Sequence, residues 1–209
     1  MVYIEYTLSI VWKKEHVLAY EKERLENALA YIAIIHKKLT NKPAYQTYIY
    51  KYLALIDFTE VKETGRTMFD LDYIALTNGP VPSVLYDNRE ENLRNQPFRD
   101  TVVLKKTSEQ QIIYEPVAEP NLEFFSDHEL DLIESTLEKY ASRDITCDKI
   151  CEITHREIPA WKKAWSKRNT SQRVPINPLD SFPNILEKDI TARTPIEEAA
   201  VQHFMKNVI

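Results

Sequence analysis

KYLALIDFTEVKETGRTMFDLDYIALTNGPVPSVLY, Lys51–Tyr86, changes its hydrophobic period twice, and both glycines of the 209-residue chain fall inside it. Tyr45, Tyr48, Ile49, Tyr52, Leu53 and Ile56 recur at helical spacing and line one face of a helix that restarts the chain after Asn41-Lys42-Pro43. Proline loses nothing at a first helical position, where its missing N–H would have no partner. Gly65 is placed to end this helix from the left-handed C′ position, which a residue without Cβ occupies at no steric penalty. Asp70–Leu76 (DLDYIAL) then reads as a short strand, and Asn78-Gly79-Pro80 as a sharp turn. Pro82 opens a further helix, Ser83 to about Asn95. Within Gly79-Pro80-Val81-Pro82 each proline restricts the residue before it to extended backbone, so the spacing predicts a stiff corner of low entropy. Tyr73, Ala75, Val81 and Tyr86 are expected to pack that corner against the helix of Tyr48, Tyr52 and Ile56, which makes the motif a scaffold. The alternative is a corner that faces a partner.

Upstream, Leu25, Ala28, Leu29, Ile32, Ile35 and Leu39 predict a long helix from Ala19 to Lys38. Val2, Ile4, Tyr6, Leu8, Ile10 and Trp12 alternate with a period of two, which predicts an N-terminal strand; the alternative is the first turns of a helix. Downstream, Thr101–Lys106 and Gln111–Glu115 read as a hairpin. Ser126 and Glu129 have capping-box spacing ahead of a helix through Leu130, Ile133, Leu137 and Tyr140. Thr146 is a candidate cap for a short helix from Cys147 to His155. Asn169–Asp189 is rich in Pro, Asn and Ser and reads as loop, after which Thr194-Pro195-Ile196-Glu197 announces a last helix to about Asn207. The expected fold class is mainly α with a small antiparallel β element, an α+β arrangement without internal repeats.

Composition bounds the function. With 44% apolar and 28% charged residues the chain is globular, and its two cysteines have no structural task to perform. A net charge of −5 supplies no global field toward nucleic acid or anionic lipid. No apolar run approaches the ~20 residues of a membrane span. The start, MVYIEYTL, lacks the basic region of a secretory signal, so a cytoplasmic protein is expected.

Chemical motifs are few. Two glycines cannot build a phosphate-binding loop, and no GxSxG, HExxH or paired CxxC occurs. Cys147, Cys151 and His155 are spaced by four on one helix, but they span about 12 Å of rise, too far for one metal ion. They are expected on the core face. His36, Asp57, Asp127 and His128 are the remaining acid–base residues, and nothing in their spacing brings them together. Neither a metal nor a cofactor is expected. Arg156, Lys162, Lys163, Lys167, Arg168 and Arg173, interleaved with Trp161 and Trp165, form the one basic tract. Such a tract suits nucleic acid, an acidic protein partner or a solvated face, and the acidic balance of the chain argues against nucleic acid.

Together these motifs resemble the Panacea domain, the SocA-like antitoxin family of bacterial and phage toxin–antitoxin systems. The stretch Lys51–Tyr86 is similar to its K-x-L-Y-x-x-D-F helix, glycine, tyrosine–alanine strand and G-P-V-P-x-x-[LV]-Y. SDHELDLIESTLEKYA is similar to its S-x-x-E-L helix, and THREIPAWKKAW, Thr154–Trp165, to its closing H-x-x-x-P-A-W element. The resemblance implies a compact helical domain over residues 25–163, an N-terminal arm over 1–24 and a loop-rich tail with a terminal helix over 164–209. It implies Asp57, Gly65, Tyr73, Ala75, Gly79, Pro80, Val81, Pro82, Tyr86, His155 and Trp161 as motif residues. It further implies a type II-like antitoxin, a binding protein and not an enzyme, that neutralises a toxin encoded by the adjacent gene. Some members bring the partner to a protease, and a homo-oligomer within the complex fits the same picture. Tyr3, Trp12, Lys162, Lys163 and Trp165 are the candidate contacts, with Trp12 on an edge strand able to extend a partner's sheet. The other readings are a sequence-specific DNA-binding regulator and an enzyme acting on the toxin's product through His155 or Asp57.

Overall fold

The computed structural model describes residues 2–108, 111–168 and 173–205, with side chains of the first helix described from residue 20 onward. That helix, α1 (Val2–Thr40), runs through the segment whose alternation predicts a strand. No glycine or proline lies between the alternating residues and the packed run from Leu25, so the helix propagates at little cost once nucleated. Tyr3 and Trp12 therefore belong to a helix and not to an edge strand, and their side chains lie outside the described residues. Asn41 ends α1 in the left-handed region (φ 59°), its N–H donating to Lys37 O at 2.9 Å.

Pro43 does not open the next helix directly. Ala44–Tyr45 (β1) first pairs with β5 (Gln111–Pro116), which also pairs with β4 (Val102–Ser108), giving an antiparallel sheet in the order β1-β5-β4. The turn of this hairpin lies outside the described residues. α2 (Gln46–Thr64) then runs to Gly65, which caps it at φ 80° as its sequence predicts. A Cβ on Gly65 would lie 2.7 Å from the Ala200 nitrogen of α8 (Pro195–Met205), so the glycine also admits the last helix against the end of α2.

The glycine–proline motif is a strand and not a bare corner. Tyr73–Leu76 (β2) pairs with Gly79–Pro82 (β3), with Ala75 opposite Pro80 and Tyr73 opposite Pro82, and β6 (Val174–Pro175) flanks β2 on its other side. Proline cannot donate, so it fits this edge strand only at the alternate positions that need no ladder N–H. Gly79 and Val81 occupy the bonded positions, and Ser83 N continues the same register to Asp72 O at 2.8 Å. The expected helix from Ser83 is split into α3 (Ser83–Asp87) and α4 (Arg89–Asn95) at Asn88, whose side chain turns back to Val84 O. β6 and a tight 3₁₀ turn at Pro178–Ser181 lie in the segment expected to be all loop. Residues 169–172 of it lie outside the described residues.

α5 (Asp127–Tyr140) starts at the Ser126–Glu129 capping box, α6 (Cys147–Glu157) is capped by Thr146, and α7 (Pro159–Ser166) carries proline in its first turn. The molecule is thus mainly α with two small antiparallel sheets. α2 is its axis. Residues 48–58 are all buried, because α1, α5, α6, α8 and β3 each pack on a different side. A helix so placed is apolar all round, and any polar residue on it must find a partner inside the protein. α1 is tied to the body by polar groups: Glu26 accepts from Asp100 N and Thr101 N, and His36 Nδ1 lies 3.0 Å from Tyr52 OH. Among the described residues no helix is long and apolar enough to cross a membrane.

Candidate functional site

Two ionisable side chains lie in the buried middle of α2, six residues apart. Asp57 is fully buried, and its carboxylate accepts from Met68 N (2.8 Å), Phe69 N (2.9 Å) and Tyr73 OH (2.7 Å). Burial pushes this acid up to about 7, against the pull of the three hydrogen bonds. It ties the loop after Gly65 and the first residue of β2 to one helix, so two of the motif residues, Asp57 and Tyr73, form a single clamp. Ala75, fully buried in β2, and Val81 in β3 pack the hairpin onto the core.

Lys51 is 2% exposed, and its ammonium donates to Pro80 O at 2.8 Å. That carbonyl is free because Pro80 stands at an unbonded position of the ladder, where the C=O points away from the partner strand. Among the described residues no carboxylate pairs with Lys51, and burial pushes it down to about 8. Gly79 (φ 98°) closes over the same spot. A Cβ there would lie 2.6 Å from Thr154 Oγ1, 3.3 Å from Lys51 Nζ and 3.4 Å from the His155 ring. Gly79 therefore serves both the turn and the close approach of the hairpin to α6. Cys151 and His155 of α6 face Lys51 as well: burial raises the Cys151 thiol, and burial followed by the Lys51 charge lowers His155.

Beside this cluster opens a cavity of about 320 Å³ between the first turns of α2 and the β2–β3 hairpin. Gln46, Thr47 and Lys51 line one wall, and Asn78, Val81 and Tyr86 the other. None of its lining residues is acidic, and Gln46 Oε1 is buried without a hydrogen-bond partner. A larger cavity of about 550 Å³ lies beside Arg24, but that guanidinium is already held by Phe124 O, Met68 O and Glu129.

The closing element is a stack of rings. His155 lies on Trp161 with centroids 3.9 Å apart, Trp161 on Trp165 at 5.8 Å, and the Arg168 guanidinium 3.8 Å over Trp165. Trp161 also donates to Leu76 O at 3.3 Å, so it anchors α7 to the hairpin. The basic tract is engaged within the chain. Lys163 pairs with Asp180, Arg173 with Asp87 and Arg156 with Glu157, while Lys162 donates to Arg156 O.

The arrangement brings Gly79, Pro80, Val81, His155 and Trp161 together around Lys51, and Asp57 with Tyr73 one and a half turns further along α2. Tyr86 lies at the cavity rim under Arg89. Tyr48 and Tyr52, expected against the hairpin, instead face His36 of α1, and the hairpin side of α2 carries Tyr50 and Lys51. Lys51 is the residue that periodicity misses. Its signal is a lone lysine in the otherwise apolar and aromatic run of residues 48–56. Cys147 is exposed and Cys151 buried, and both are free thiols. Glu60, Glu63 and His128 bring ligand atoms within 4.8 Å of one another and are the described residues that could hold a metal ion. His128 Nε2 lies 2.9 Å from Glu60 Oε2, and that hydrogen bond raises the imidazole above its usual value.

Residues 49–162 match the family model described as "Antitoxin SocA-like, Panacea domain". No curated protein and no solved structure matches the chain.

Proposed function

The chain belongs to the SocA-like antitoxin, Panacea domain family and its role is antitoxin-like in general; from that premise we propose that it neutralises a co-encoded protein toxin by direct, stoichiometric binding. The observation that carries this reading is the family match across residues 49–162, which spans the Asp57 clamp, the Lys51–Gly79 contact and the His155–Trp161 stack. Asp57 is spent on backbone and Tyr73, and His155 is covered on one face by Trp161, so both serve to hold the domain's shape. They are positioning residues in this proposal, and the chain is a binding protein that performs no turnover. The contacts with the toxin fall on surfaces outside the clamp, among them Trp165, Lys162 and Lys163 and the helical arm that carries Tyr3 and Trp12.

The DNA-binding reading draws no support from the basic tract, whose Lys163, Arg173 and Arg156 already neutralise carboxylates of the same chain. Delivery of the toxin to a protease is compatible with direct binding and differs in its outcome. Co-expression with the product of the adjacent reading frame tests the proposal. Rescue of growth together with a co-purifying complex of fixed stoichiometry is expected. Rescue with the toxin lost from the cell, restored by removing the protease, would mark an adaptor. Unrelieved toxicity, or rescue without any complex, would refute the proposal.

A further inference from the structure

A buried ammonium with one neutral acceptor is an unfinished ion site. Lys51 can donate three hydrogen bonds, and the structure assigns one, to Pro80 O. Burying a cation without a counter-ion is costly, and proteins keep such a group where an anion completes it. Lys51, although only 2% exposed, also lines the cavity beside the hairpin. Gln46 Oε1, buried and unpartnered on the same wall, is a second unused polar group. Rotation of that amide would turn its NH2 to the same place as a donor. Asn78 and Thr77 are exposed at the mouth, and Thr47 is half-buried there. The walls are otherwise Leu76, Val81 and the two tyrosines, which shield whatever enters from water.

We propose that this cavity is a socket in which a protein partner seats an Asp or Glu side chain, with Lys51 as its counter-ion and Gln46, Thr47 and Asn78 as the polar rim. The proposal rests on the reading of the chain as a toxin-binding protein. Charge selects the occupant. No acidic residue lines the cavity, whereas the molecule as a whole carries −5, so a free small anion is repelled at long range. A carboxylate delivered on a protein surface is brought in by the surrounding contacts and meets an unpaired cation in a low-dielectric recess. Gly79 lets the hairpin close tightly over the ammonium, since a Cβ there would stand 3.3 Å from Nζ and 2.6 Å from Thr154 Oγ1. The rigid hairpin thus acquires a second consequence. It holds Lys51 at the floor of a partner site as well as bracing the fold.

The test uses the full chain and the product of the adjacent reading frame, with affinity measured by calorimetry or biolayer interferometry. Lys51→Met removes the cation, Thr47→Trp fills the mouth and leaves the cation in the chain, and Asn78→Asp supplies an internal competitor at the rim. Lys106→Ala, on the distant hairpin, is the control. Each of the first three is expected to weaken binding by at least about 30-fold, the loss seen when one member of a buried charge pair is removed. Neutralising one particular Asp or Glu of the partner should reproduce that loss and add nothing to Lys51→Met. If Lys51→Met does not fold, Thr47→Trp and Asn78→Asp decide the matter. A complex as tight as wild type with those variants overturns the socket and leaves toxin binding intact. No complex with the wild-type chain overturns both.

Discussion

Changing Lys51 to Met should alter the pH dependence of stability in a defined window and direction. An unfolded lysine titrates near ~10.4, whereas burial pushes Lys51 down to about 8 in the folded protein. Between those values the unfolded state binds the extra proton, so stability must rise with pH. Below about pH 8 the folded protein carries the full penalty of a buried charge, about 3 kcal/mol by this linkage, and the penalty fades as the pH climbs toward ~10.4. From about pH 7 to about pH 9.5 wild type should therefore gain about 2 kcal/mol relative to Lys51→Met, which has no proton to lose. Cys151 and His155 are the titratable groups that face Lys51, and burial moves the first up and the second down, away from the middle of the window. Buried tyrosines such as Tyr52 and Tyr114, also raised by burial, act at higher pH and are common to both proteins. Urea unfolding at several pH values, followed by tryptophan fluorescence, measures the difference directly. A difference that stays flat across the window would refute the reasoning, since it would mean that Lys51 is not charged and buried at neutral pH.

Asp57→Ala should destabilise by about 3–5 kcal/mol, because two backbone N–H groups and the Tyr73 hydroxyl lose their acceptor inside the core. Asp57→Asn should cost far less, and as the pH rises through about 4 to about 7 wild type should lose ground to it by up to about 4 kcal/mol, because the folded acid is raised to about 7 and its neutral form is the favoured one; parallel losses for the two variants in denaturant titrations would contradict the clamp. Gly79→Ala should cost about 2–5 kcal/mol from its left-handed backbone and the contact with Thr154, and adding Thr154→Ala should return only the contact's share in thermal unfolding. Gly65→Ala should displace α8 from the end of α2, seen as faster proteolysis at the C-terminal helix than in wild type, with equal cleavage rates counting against that packing.

How far residues announced their own structure varied along the chain for physical reasons. Capping is local, so Ser126 with Glu129, Thr146 and Thr194 with Glu197 marked helix starts that the structure keeps. Gly65 likewise ended α2 where its sequence predicts. The N-terminal alternation misled, because a period of two describes a strand only where another strand is at hand, and the uninterrupted helix continued through it. Proline in Gly79–Pro82 suggested a corner, since its fixed φ is visible in sequence while the register that excuses its missing N–H is not. The spacing of the tyrosines on α2 points them toward the hairpin, yet the helix is buried all round, and periodicity cannot say which neighbour meets which face. Asp57 could be matched to a motif from its position alone, but its three donors come from residues 68, 69 and 73 and are brought to it by the turn at Gly65.

Sequence alone determined the family, the mainly helical class and the helix ends that carry a capping residue, because those depend on neighbours within a turn or on an ordered string of motifs. Tertiary structure alone decided that the lysine opening the signature stretch is buried without a carboxylate, that a proline carbonyl is its only described acceptor, and that a cavity opens above it. Desolvation is a property of what surrounds a charge, and for Lys51 those surroundings come from β3 and α6, which lie far apart in the sequence.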